Sequence, residues 1–327
     1  MKIILNHNFE DIISIDNLLF AWREFIRGKR NKSDVQLFQF QLMNNIISLR
    51  NDLQNKTYKH GGYEQFKISD PKPRIISKAQ VRDRLLHHAI YRILYPFFDK
   101  TFSHTSYSCR LNKGTHKAIN QLRNYFYIVS QNNTKTCWAL KCDIRRFFDN
   151  IDHQILISTL KQYIPDKGII WLFEEIINSF HSTKDDVGLP LGNLTSQLFV
   201  NVYMNSFDQY IKHILRVKCY IRYADDFVVL SENRDYLINL ISQTSHFLEH
   251  NLKLHLHSGK VSIKALSSGI DFLGWVSFPD HRILRTSTKR KMIKKLRTTN
   301  SSQVVNSYLG LIKHGNTYNL RRNVFQK

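Results

Sequence analysis

The stretch Cys219-Tyr-Ile-Arg-Tyr-Ala-Asp-Asp-Phe-Val-Val-Leu230 decides the fold. Apolar residues flank two adjacent carboxylates, Asp225 and Asp226, which predicts a strand, a tight turn and a second strand. Neighbouring carboxylates raise each other's pKa, so a nearby cation is needed to keep both ionised. A divalent metal is the simplest such cation, and Mg²⁺ prefers hard oxygen ligands. Taken alone, the doublet is equally well explained as a plain hairpin turn, because Asp favours turns.

A third carboxylate, Asp143, shifts this balance toward metal. Residues 138–143 alternate in the manner of a strand, and Asp143 is at its carboxyl end. Carboxylates on neighbouring strands can hold two metal ions about 3.5–4 Å apart. The sequence therefore predicts a two-metal centre built from Asp143, Asp225 and Asp226.

The charge of the chain is strongly positive. Its 327 residues include 48 Lys and Arg against 26 Asp and Glu, a formal net charge of +22. No acidic residue follows Asp280, so the stretch 281–327 carries positive charges and no negative side chain. A charge of this size usually serves to meet a polyanion, which leaves nucleic acid, an anionic membrane or an acidic protein. The 42% hydrophobic and 12% aromatic content excludes a globally disordered chain.

The sequence shows no clear pattern for disulfides, for a cysteine-bound zinc ion, for secretion or for a membrane span. The four cysteines form no CxxC pair, which argues against a disulfide framework and a structural zinc site. No secretory signal and no apolar run of about 20 residues is present, which predicts a cytoplasmic protein with no membrane partner.

The remaining periodicity predicts an α+β chain. Helices are expected over most of 9–57, over 80–98 with an end near Pro96, from Asp152, and over 168–180, 195–215 and 234–250. A hairpin is expected at 63–76 around two prolines, with strands at 252–257, 261–265 and 270–277 and a helical basic tail. The elements lack regular βαβ spacing, which favours a palm-like α+β domain over a doubly wound sheet.

Four motifs follow one another along the chain: Lys141-Cys-Asp-Ile-Arg-Arg-Phe-Phe148, Gly188-Leu-Pro-Leu-Gly-Asn-Leu-Thr-Ser-Gln197, Tyr223-Ala-Asp-Asp226 and Phe272-Leu-Gly-Trp275. In this order they resemble the motifs of the reverse transcriptases. The resemblance spans about 66–325 and implies a right-hand polymerase fold with fingers, a palm of antiparallel sheet and helices, and a short helical thumb. It implies an N-terminal helical segment at 1–60, fingers and the start of the palm at 61–136, a palm at 137–276 with a finger insertion at 151–187, and a basic thumb at 277–327.

A narrower resemblance rests on departures from the common pattern. Leu191 stands where most of these enzymes have Gln, and Gln197 where most have Pro. With the segments 106–117 and 308–315, these residues are similar to the reverse transcriptases of diversity-generating retroelements. That implies a bacterial or phage-encoded enzyme that copies its template with errors opposite adenine and works with a small basic accessory protein. The same branch includes phage-defence enzymes that copy a dedicated noncoding RNA, and the sequence does not separate the two settings.

The resemblance assigns catalysis and metal binding to a few residues. Asp143, Asp225 and Asp226, with Ile144 beside the first, are expected to bind two Mg²⁺ ions, for which Mn²⁺ can substitute. Lys260 is expected to protonate the departing pyrophosphate, although an ordinary solvated lysine is an equal interpretation. His255 and His257 are expected on one face of the strand predicted at 252–257. Because no third ligand has suitable spacing, they are interpreted as surface or RNA-facing histidines and not as zinc ligands.

The nucleotide is expected to meet a separate set of residues. Phe148 is the steric gate against a ribose 2′-hydroxyl, whereas Phe147 is expected in the core. Leu191 cannot offer the hydrogen bond of the usual Gln, which implies looser base-pair positioning. Lys67, Lys72 and Arg74 lie on the predicted hairpin, where cations are either solvated or bind triphosphate. The full nucleotide-binding set is Lys72, Arg74, Phe148, Leu191, Gly192, Gln197 and Tyr223.

The expected nucleic-acid contacts lie toward the carboxyl end. A primer grip and a thumb helix are expected to hold the template RNA and a DNA or RNA primer while deoxynucleotides are added. The resemblance also implies a structured template or noncoding RNA and, as a further partner, an accessory protein or a second copy of the chain. RNA-dependent RNA synthesis and a non-catalytic RNA-binding scaffold are the alternatives. The expected contact residues are Phe272, Leu273, Gly274, Trp275, Lys289, Arg290, Lys291, Lys294, Lys295 and Arg297.

Overall fold

The computed structural model describes residues 3–69, 73–298 and 301–325, and helices and strands interleave along them. Within these residues the α-helices are α1 (Phe9–Ile13), α2 (Ile15–Phe25), α3 (Ser33–Phe40), α4 (Leu42–Gln54), α5 (Val81–Thr101), α6 (Thr115–Val129), α7 (His153–Lys161), α8 (Lys167–Ile177), α9 (Leu194–Gln209), α10 (Arg234–Leu252), α11 (Thr286–Arg297), α12 (Ser302–Ile312) and α13 (Tyr318–Phe325). The strands are β1 (Tyr63–Ile68), β2 (Arg74–Ala79), β3 (Trp138–Asp143), β4 (Tyr220–Tyr223), β5 (Asp226–Ser231), β6 (Ser262–Ala265), β7 (Ile270–Phe272), β8 (Trp275–Ser277) and β9 (Arg282–Leu284).

The chain divides into two compact units that alternate along the sequence. The first unit comprises Met1–His104, Arg145–Tyr210 and Phe247–His255. The second comprises Thr105–Ile144, Ile211–His246 and Leu256–Lys327. The segment bounds expected for fingers, palm and thumb stay predictions.

The first unit is mainly helical. Its helix α5 packs against α2 and α9, and α7 packs against α8 and α9. Most residues of α9 are buried, including polar ones such as Asn201 and Asp208, so this helix lies at the centre of the unit. The predicted hairpin is confirmed as antiparallel β1 and β2, paired from Tyr63–Ala79 to Ile68–Arg74. Its predicted turn residue Lys72 lies outside the described residues.

The predicted end of a helix near Pro96 is wrong, because α5 continues to Thr101. Proline removes one main-chain N–H and usually kinks or ends a helix. Here Leu94 and Phe98 on either side are buried, and the N–H of Phe102 bonds the Phe98 carbonyl. Burial of the last turn therefore compensates for the lost hydrogen bond.

The second unit contains a four-stranded antiparallel sheet in the order β4-β5-β3-β6. Helix α6 covers β4 and β5. Its Leu122 and Phe126 join Ile221 and Val228 of the sheet in one buried cluster. The alternation read from the sequence at 138–143 and on both sides of Asp225-Asp226 is confirmed as strands.

A second sheet of this unit corrects one prediction. Residues 270–277, expected as one strand, form the hairpin β7–β8, with β9 paired on its other side. Leu273 and Gly274 have φ values of 50° and 87°. Two consecutive left-handed residues form the tight turn that suits the right-handed twist of paired strands. The basic tail accordingly begins with a strand, and its helices α11–α13 follow.

The strand expected at 252–257 is also wrong. Helix α10 runs to Leu252, and Lys253 then adopts a left-handed φ of 49°, which breaks any extended run. Only Leu256 forms a β-bridge, with Ile144. The histidines of this segment therefore share no strand face.

All four cysteines are free thiols. Three of them are buried, and burial raises the pKa of Cys137 and of Cys142 to about 12. The pKa of Cys219 is raised for the same reason. Cys109, by contrast, is exposed. Among the described residues, every helix is too short or too polar to cross a membrane.

Candidate functional site

Three carboxylates meet at one end of the four-stranded sheet. The register of β3 against β5 places Asp143 directly opposite Asp226. Asp225 lies in the β4–β5 turn next to Ala224, whose φ of 55° allows the tight reversal. The carbonyl of Asp225 accepts a hydrogen bond of 3.1 Å from the N–H of Ile144. Asp143 is buried, and both turn carboxylates are half-buried.

This cluster is electrostatically costly. Burial raises the pKa of Asp226 to about 6. The Lys141 ammonium opposes this rise, whereas the charges of Asp225 and Asp143 and a hydrogen bond with Asp143 add to it. Hard oxygen donors that crowd one another in this way suit a dication such as Mg²⁺. The donor set therefore fits the expected metal.

Lys260 belongs to the same cluster. It closes a short 3₁₀ helix, Ser258–Lys260, and its Nζ donates to Oδ1 of Asp143 at 2.7 Å. The N–H of His257 donates to the main-chain oxygen of Asp143 at 2.8 Å, which fixes the segment. The structure therefore brings the lysine to the acids, and its role toward pyrophosphate stays a prediction.

Arg222 is a positioning residue that the sequence interpretation missed. It is fully buried on β4, and its Nη1 donates to the Ala224 carbonyl at 3.1 Å. Its Nη2 donates to Oγ of Ser106 at 3.1 Å, so the segment 106–117 also holds the turn. The signal was a cation inside the apolar run Tyr220-Ile-Arg, because a buried charge needs partners.

Tyr223 joins the same two segments. Its ring is half-buried against the core of the unit. Its hydroxyl oxygen accepts a hydrogen bond of 3.3 Å from the hydroxyl of Thr115, the first residue of α6. Its predicted contact with a nucleotide stays a prediction.

The paired phenylalanines of the first unit differ in exposure. Phe147 is buried and Phe148 is half-exposed, with their ring centroids 5.6 Å apart. The carbonyl of Phe148 accepts a hydrogen bond of 2.8 Å from the N–H of Leu189. The side chain expected to act as a gate is thus the accessible one of the two, as a gate requires.

The loop 188–192 packs against strand β2 of the β1–β2 hairpin, in the same unit. The N–H of Ser77 donates to the Leu191 carbonyl at 2.8 Å. Gly192 has a φ of 125°, and a Cβ there would lie 3.0 Å from Ile76 Cγ2 and 3.2 Å from the Ser77 carbonyl oxygen. Only glycine fits this conformation and approach. Leu191 and Gln197 are both half-buried.

Two of the cations on the β1–β2 hairpin are exposed. Arg74 opens β2 opposite Ile68, and it is exposed. Lys67 is exposed on the neighbouring strand. Both are available to an anion, and their contact with a triphosphate stays a prediction.

The start of α9 is fixed by a buried chain of polar groups that the sequence interpretation also missed. Thr195 Oγ1 and His87 Nδ1 are 2.6 Å apart, and His87 Nε2 lies 3.1 Å from His60 Nε2. Desolvation lowers the pKa of His87 well below its ordinary value, and the neighbouring His60 adds to this. The uncharged His87 ring therefore links His60 to Thr195 at the start of α9 through hydrogen bonds.

The expected nucleic-acid contacts divide into two classes. The rings of Phe272 and Trp275 are buried, so only the Leu273–Gly274 turn between them reaches the surface. Helix α11 buries Met292 and exposes its cations on other faces. The exposed cations are the predicted Lys289, Arg290, Lys291, Lys294, Lys295 and Arg297.

The segment 308–315 packs against Trp275, which lies in the stretch 272–275 expected to be the primer grip. A Cβ at Gly315 would overlap the Trp275 ring, which explains the glycine. Arg282 lies 5.7 Å from that ring and donates to Asn120 Oδ1 at 2.8 Å. A cavity of about 220 Å³ beside them is lined by Arg123, Ser277, Phe278, His281, Arg282, Lys313, His314, Gly315 and Asn316.

Comparison with known proteins agrees with this geometry. Residues 59–277 match the family model described as "Reverse transcriptase (RNA-dependent DNA polymerase)". Protein YkfC of Escherichia coli is 26% identical over 261 residues, which cover 68% of this chain and 66% of that protein. The group II intron-encoded protein LtrA of Lactococcus lactis is 23% identical over 290 residues, covering 67% of this chain and 46% of that one. The chain thus spans between about half and two thirds of these two relatives.

The fold has a distant match among solved structures. Telomerase of Candida albicans, solved in complex with a fragment of telomeric RNA, superposes with a TM-score of 0.52. The match covers 75% of this chain and 51% of the telomerase chain at 11% identity. At that identity it supports the right-hand polymerase fold alone.

Proposed function

Because the chain belongs to the reverse transcriptase (RNA-dependent DNA polymerase) family, we propose that it is an RNA-directed DNA polymerase. The observation that carries this proposal is the placement of Asp143 opposite Asp226, with Asp225 in the adjoining turn. The reaction joins a primer 3′-oxygen to the α-phosphorus of a deoxynucleotide. The hydroxyl proton is lost and pyrophosphate leaves.

The three carboxylates would hold two Mg²⁺ ions. Asp143 and Asp225 would carry most of the coordination, with Asp226 and the main chain at Ile144 in support. When bound, such ions stabilise the charge that develops on the attacking oxygen, the phosphorus and the leaving group. The Lys260 ammonium, held 2.7 Å from Asp143, would supply the proton that pyrophosphate takes as it leaves.

Residues of the first unit would select the nucleotide. The half-exposed Phe148 ring would exclude a 2′-hydroxyl, which favours deoxynucleotides over ribonucleotides. The exposed Arg74 fork suits a triphosphate. Leu191 offers no side-chain hydrogen bond to a base pair. The base pair would therefore be positioned loosely, and copying would be error-prone.

We further propose that the enzyme copies one dedicated, structured RNA in the manner of diversity-generating retroelements. Support comes from Leu191, from Gln197 and from the segments 106–117 and 308–315, which resemble those enzymes. A small basic accessory protein is the proposed partner. Sequencing the RNA and cDNA that copurify with the protein tests this: substitutions concentrated at template adenines support it, and repetitive cDNA without them indicates a defence enzyme instead.

The polymerase proposal is tested by replacing the turn carboxylates. The double variant Asp225→Ala, Asp226→Ala should abolish primer extension on an RNA template while RNA binding survives. The exposed Asp235 of the same unit supplies a matched control, and Asp235→Ala should extend normally. Unchanged extension by the double variant would refute the two-metal assignment and favour a non-catalytic scaffold.

The choice of nucleotide is tested separately. The wild-type protein should incorporate deoxynucleotides far better than ribonucleotides, and Phe148→Ala should narrow the difference. The buried neighbour supplies the contrast, because Phe147→Ala should lower stability more than it changes this selectivity. Equal use of both nucleotides by the wild-type protein would indicate RNA-dependent RNA synthesis.

A further inference from the structure

A second cluster of metal-ligating side chains lies in the first unit, apart from the carboxylates. His153, His181 and Asp186 each offer a ligand atom, and these three atoms lie within 4.8 Å of one another. His153 is the first residue of α7, directly after the N-cap Asp152. His181 and Asp186 come from the loop after α8. Residues 28 and 33 positions away from His153 in sequence thus come close to it in the fold.

His153 is already prepared as a ligand. Its ring is fully buried, and Nε2 lies 2.7 Å from the carbonyl oxygen of Gly188. A carbonyl only accepts, so the ring proton is on Nε2 and the lone pair is on Nδ1. A hydrogen bond of this kind to a main-chain carbonyl is what usually orients a metal-binding histidine.

The lone pair on Nδ1 is unpaired within the part of the chain that the structure describes. This nitrogen is buried and makes no hydrogen bond there. The side chain of Asn178 also neighbours this ring. The neutral ring is the form that binds metal. An unpaired buried acceptor is costly, and a cation at Nδ1 would remove that cost.

The other two ligands are exposed but held in place. The His181 ring lies 5.6 Å from the His153 ring, centroid to centroid, and its Nδ1 accepts a hydrogen bond of 3.0 Å from the N–H of Asp186. The Asp186 carbonyl accepts a hydrogen bond of 3.0 Å from the N–H of His153. The main chain of Asp186 has a left-handed φ of 59°, which is uncommon outside glycine.

We propose that His153, His181 and Asp186 form a binding site for one divalent transition metal of the zinc class. Two imidazole nitrogens and one carboxylate oxygen are ligands that Zn²⁺ accepts, and water can complete a tetrahedral set. Bond lengths of about 2.0–2.2 Å require the exposed side chains to draw closer than they are without the ion. The hydrogen bond between Asp186 and His181 is then exchanged for coordination. The site differs from the carboxylate centre, whose oxygen-only set suits Mg²⁺.

The position of the site indicates a structural task. From the same loop, Ser182 Oγ donates to the Asp149 carbonyl at 2.7 Å. The N–H of Gly188 donates to the Ile151 carbonyl at 2.8 Å. The N–H of Leu189 donates to the Phe148 carbonyl at 2.8 Å. A bound ion would fasten this loop to the start of α7 and so steady the segment that leads to Leu191. His181 and Asp186 would be positioning residues.

Metal binding by the full-length, untagged protein tests the proposal directly. The protein is stripped with a chelator and titrated with Zn²⁺, and separately with Co²⁺, in excess Mg²⁺ that occupies oxygen-only sites. One Zn²⁺ per chain should bind, and Co²⁺ should show the strong visible absorption of a tetrahedral nitrogen-containing site. The double variant His181→Asn, Asp186→Asn should bind at least about tenfold more weakly. Both replaced side chains are exposed, so the variant should still fold.

Two controls separate this site from other metal binding. The exposed His213 lies in the second unit, and His213→Asn should leave affinity and stoichiometry unchanged. The variant Asp225→Ala, Asp226→Ala should also keep the Zn²⁺ site, so the result does not depend on polymerase activity. Equal Zn²⁺ binding by the wild type and the His181→Asn, Asp186→Asn variant would overturn the proposal, as would no binding by the wild type. Zn²⁺ should also raise the unfolding temperature of the wild type and not of that variant.

Discussion

Two hairpins carry the charged residues to which the predicted activity is assigned, and they differ in burial and in strand pairing. The β4–β5 hairpin has β3 paired on its far side, and its strands are almost entirely buried. The β1–β2 hairpin has no third strand among the described residues, and half of its strand residues are exposed. The first places carboxylates at its turn, whereas the second carries the cations Lys67 and Arg74.

The contrast shows how each kind of charge is made useful. Carboxylates repel one another, so they cluster only where the surrounding structure fixes them, here by strand register and the buried Arg222. Cations that meet a solvated phosphate need access more than confinement, and an exposed hairpin provides it. Activity should therefore be most sensitive to change in the buried hairpin, and the following predictions test that expectation.

The largest effect is expected at Asp143, on the strand that completes the buried hairpin. Asp143→Asn keeps the shape of the side chain but removes the charge that pairs with Lys260. Primer extension should fall by about a thousandfold, as expected when one group that stabilises transition-state charge is lost. Steady-state extension kinetics measure this, with Asp235→Asn as the exposed control. A loss below tenfold would mean that the centre tolerates two carboxylates.

The second test compares stability. Phe227→Ala empties a fully buried position on β5 and should cost about 3–5 kcal/mol of unfolding free energy. Ile75→Ala removes an exposed side chain on β2 and should cost less than about 0.5 kcal/mol. Denaturant unfolding of both variants measures the difference. Similar costs would show that the β1–β2 hairpin is supported as firmly as the other.

The third test concerns α5, the helix that directly follows β2. Burial lowers the pKa of His88 from 6.5 to about 4, and the charges of Lys29 and Arg84 act in the same direction. The unfolded chain binds a proton near pH 6.5, whereas the folded chain binds it only near pH 4, so stability falls as pH drops through this window. After discounting for partial exposure, His88 should contribute about 1–2 kcal/mol to this loss.

Unfolding free energies measured between pH 7 and pH 4 check the sign and size of this effect. The variant His88→Gln should lose less stability than the wild type as the pH falls. It should still lose some, because His87 is also buried with a lowered pKa. An identical pH dependence in variant and wild type would remove His88 from the explanation.

The smallest effect is expected at the exposed hairpin. Arg74→Ala should raise KM for deoxynucleotides about tenfold and leave kcat nearly unchanged, since a charged hydrogen bond to the ground-state triphosphate is lost. Arg74→Lys should recover part of the affinity because it keeps the charge without the planar fork. Initial-rate kinetics over a range of nucleotide concentrations distinguish the two. A large fall in kcat would show that Arg74 acts in the transition state.

Much of the buried hairpin could be predicted from the sequence. Alternating apolar residues around an acidic doublet indicate paired strands, and the position of Asp143 at a strand end indicates a neighbour. The ion pair between Asp143 and Lys260 was much harder to predict from the sequence. The two residues are 117 positions apart, and their contact depends on a 3₁₀ turn that has no strong local signal.

The errors share a physical cause, because in each of them tertiary contacts or a local backbone reversal override the local pattern. Pro96 would end an isolated helix, but burial of Phe98 carries α5 onward. The apolar alternation at 270–277 hides a hairpin, because the left-handed turn at Leu273-Gly274 lies within it. His153 and His181 lie far apart in sequence and follow no short metal motif, so only the fold brings them together.

The four cysteines have a practical consequence for experiments. Maleimide reagents react with thiolates at the surface, and three of the thiols are buried. Cys109 is the single exposed one, in the segment that also supplies Ser106 to the buried Arg222. The chain therefore offers one exposed thiol to which a fluorophore or spin label can be attached without any change of sequence.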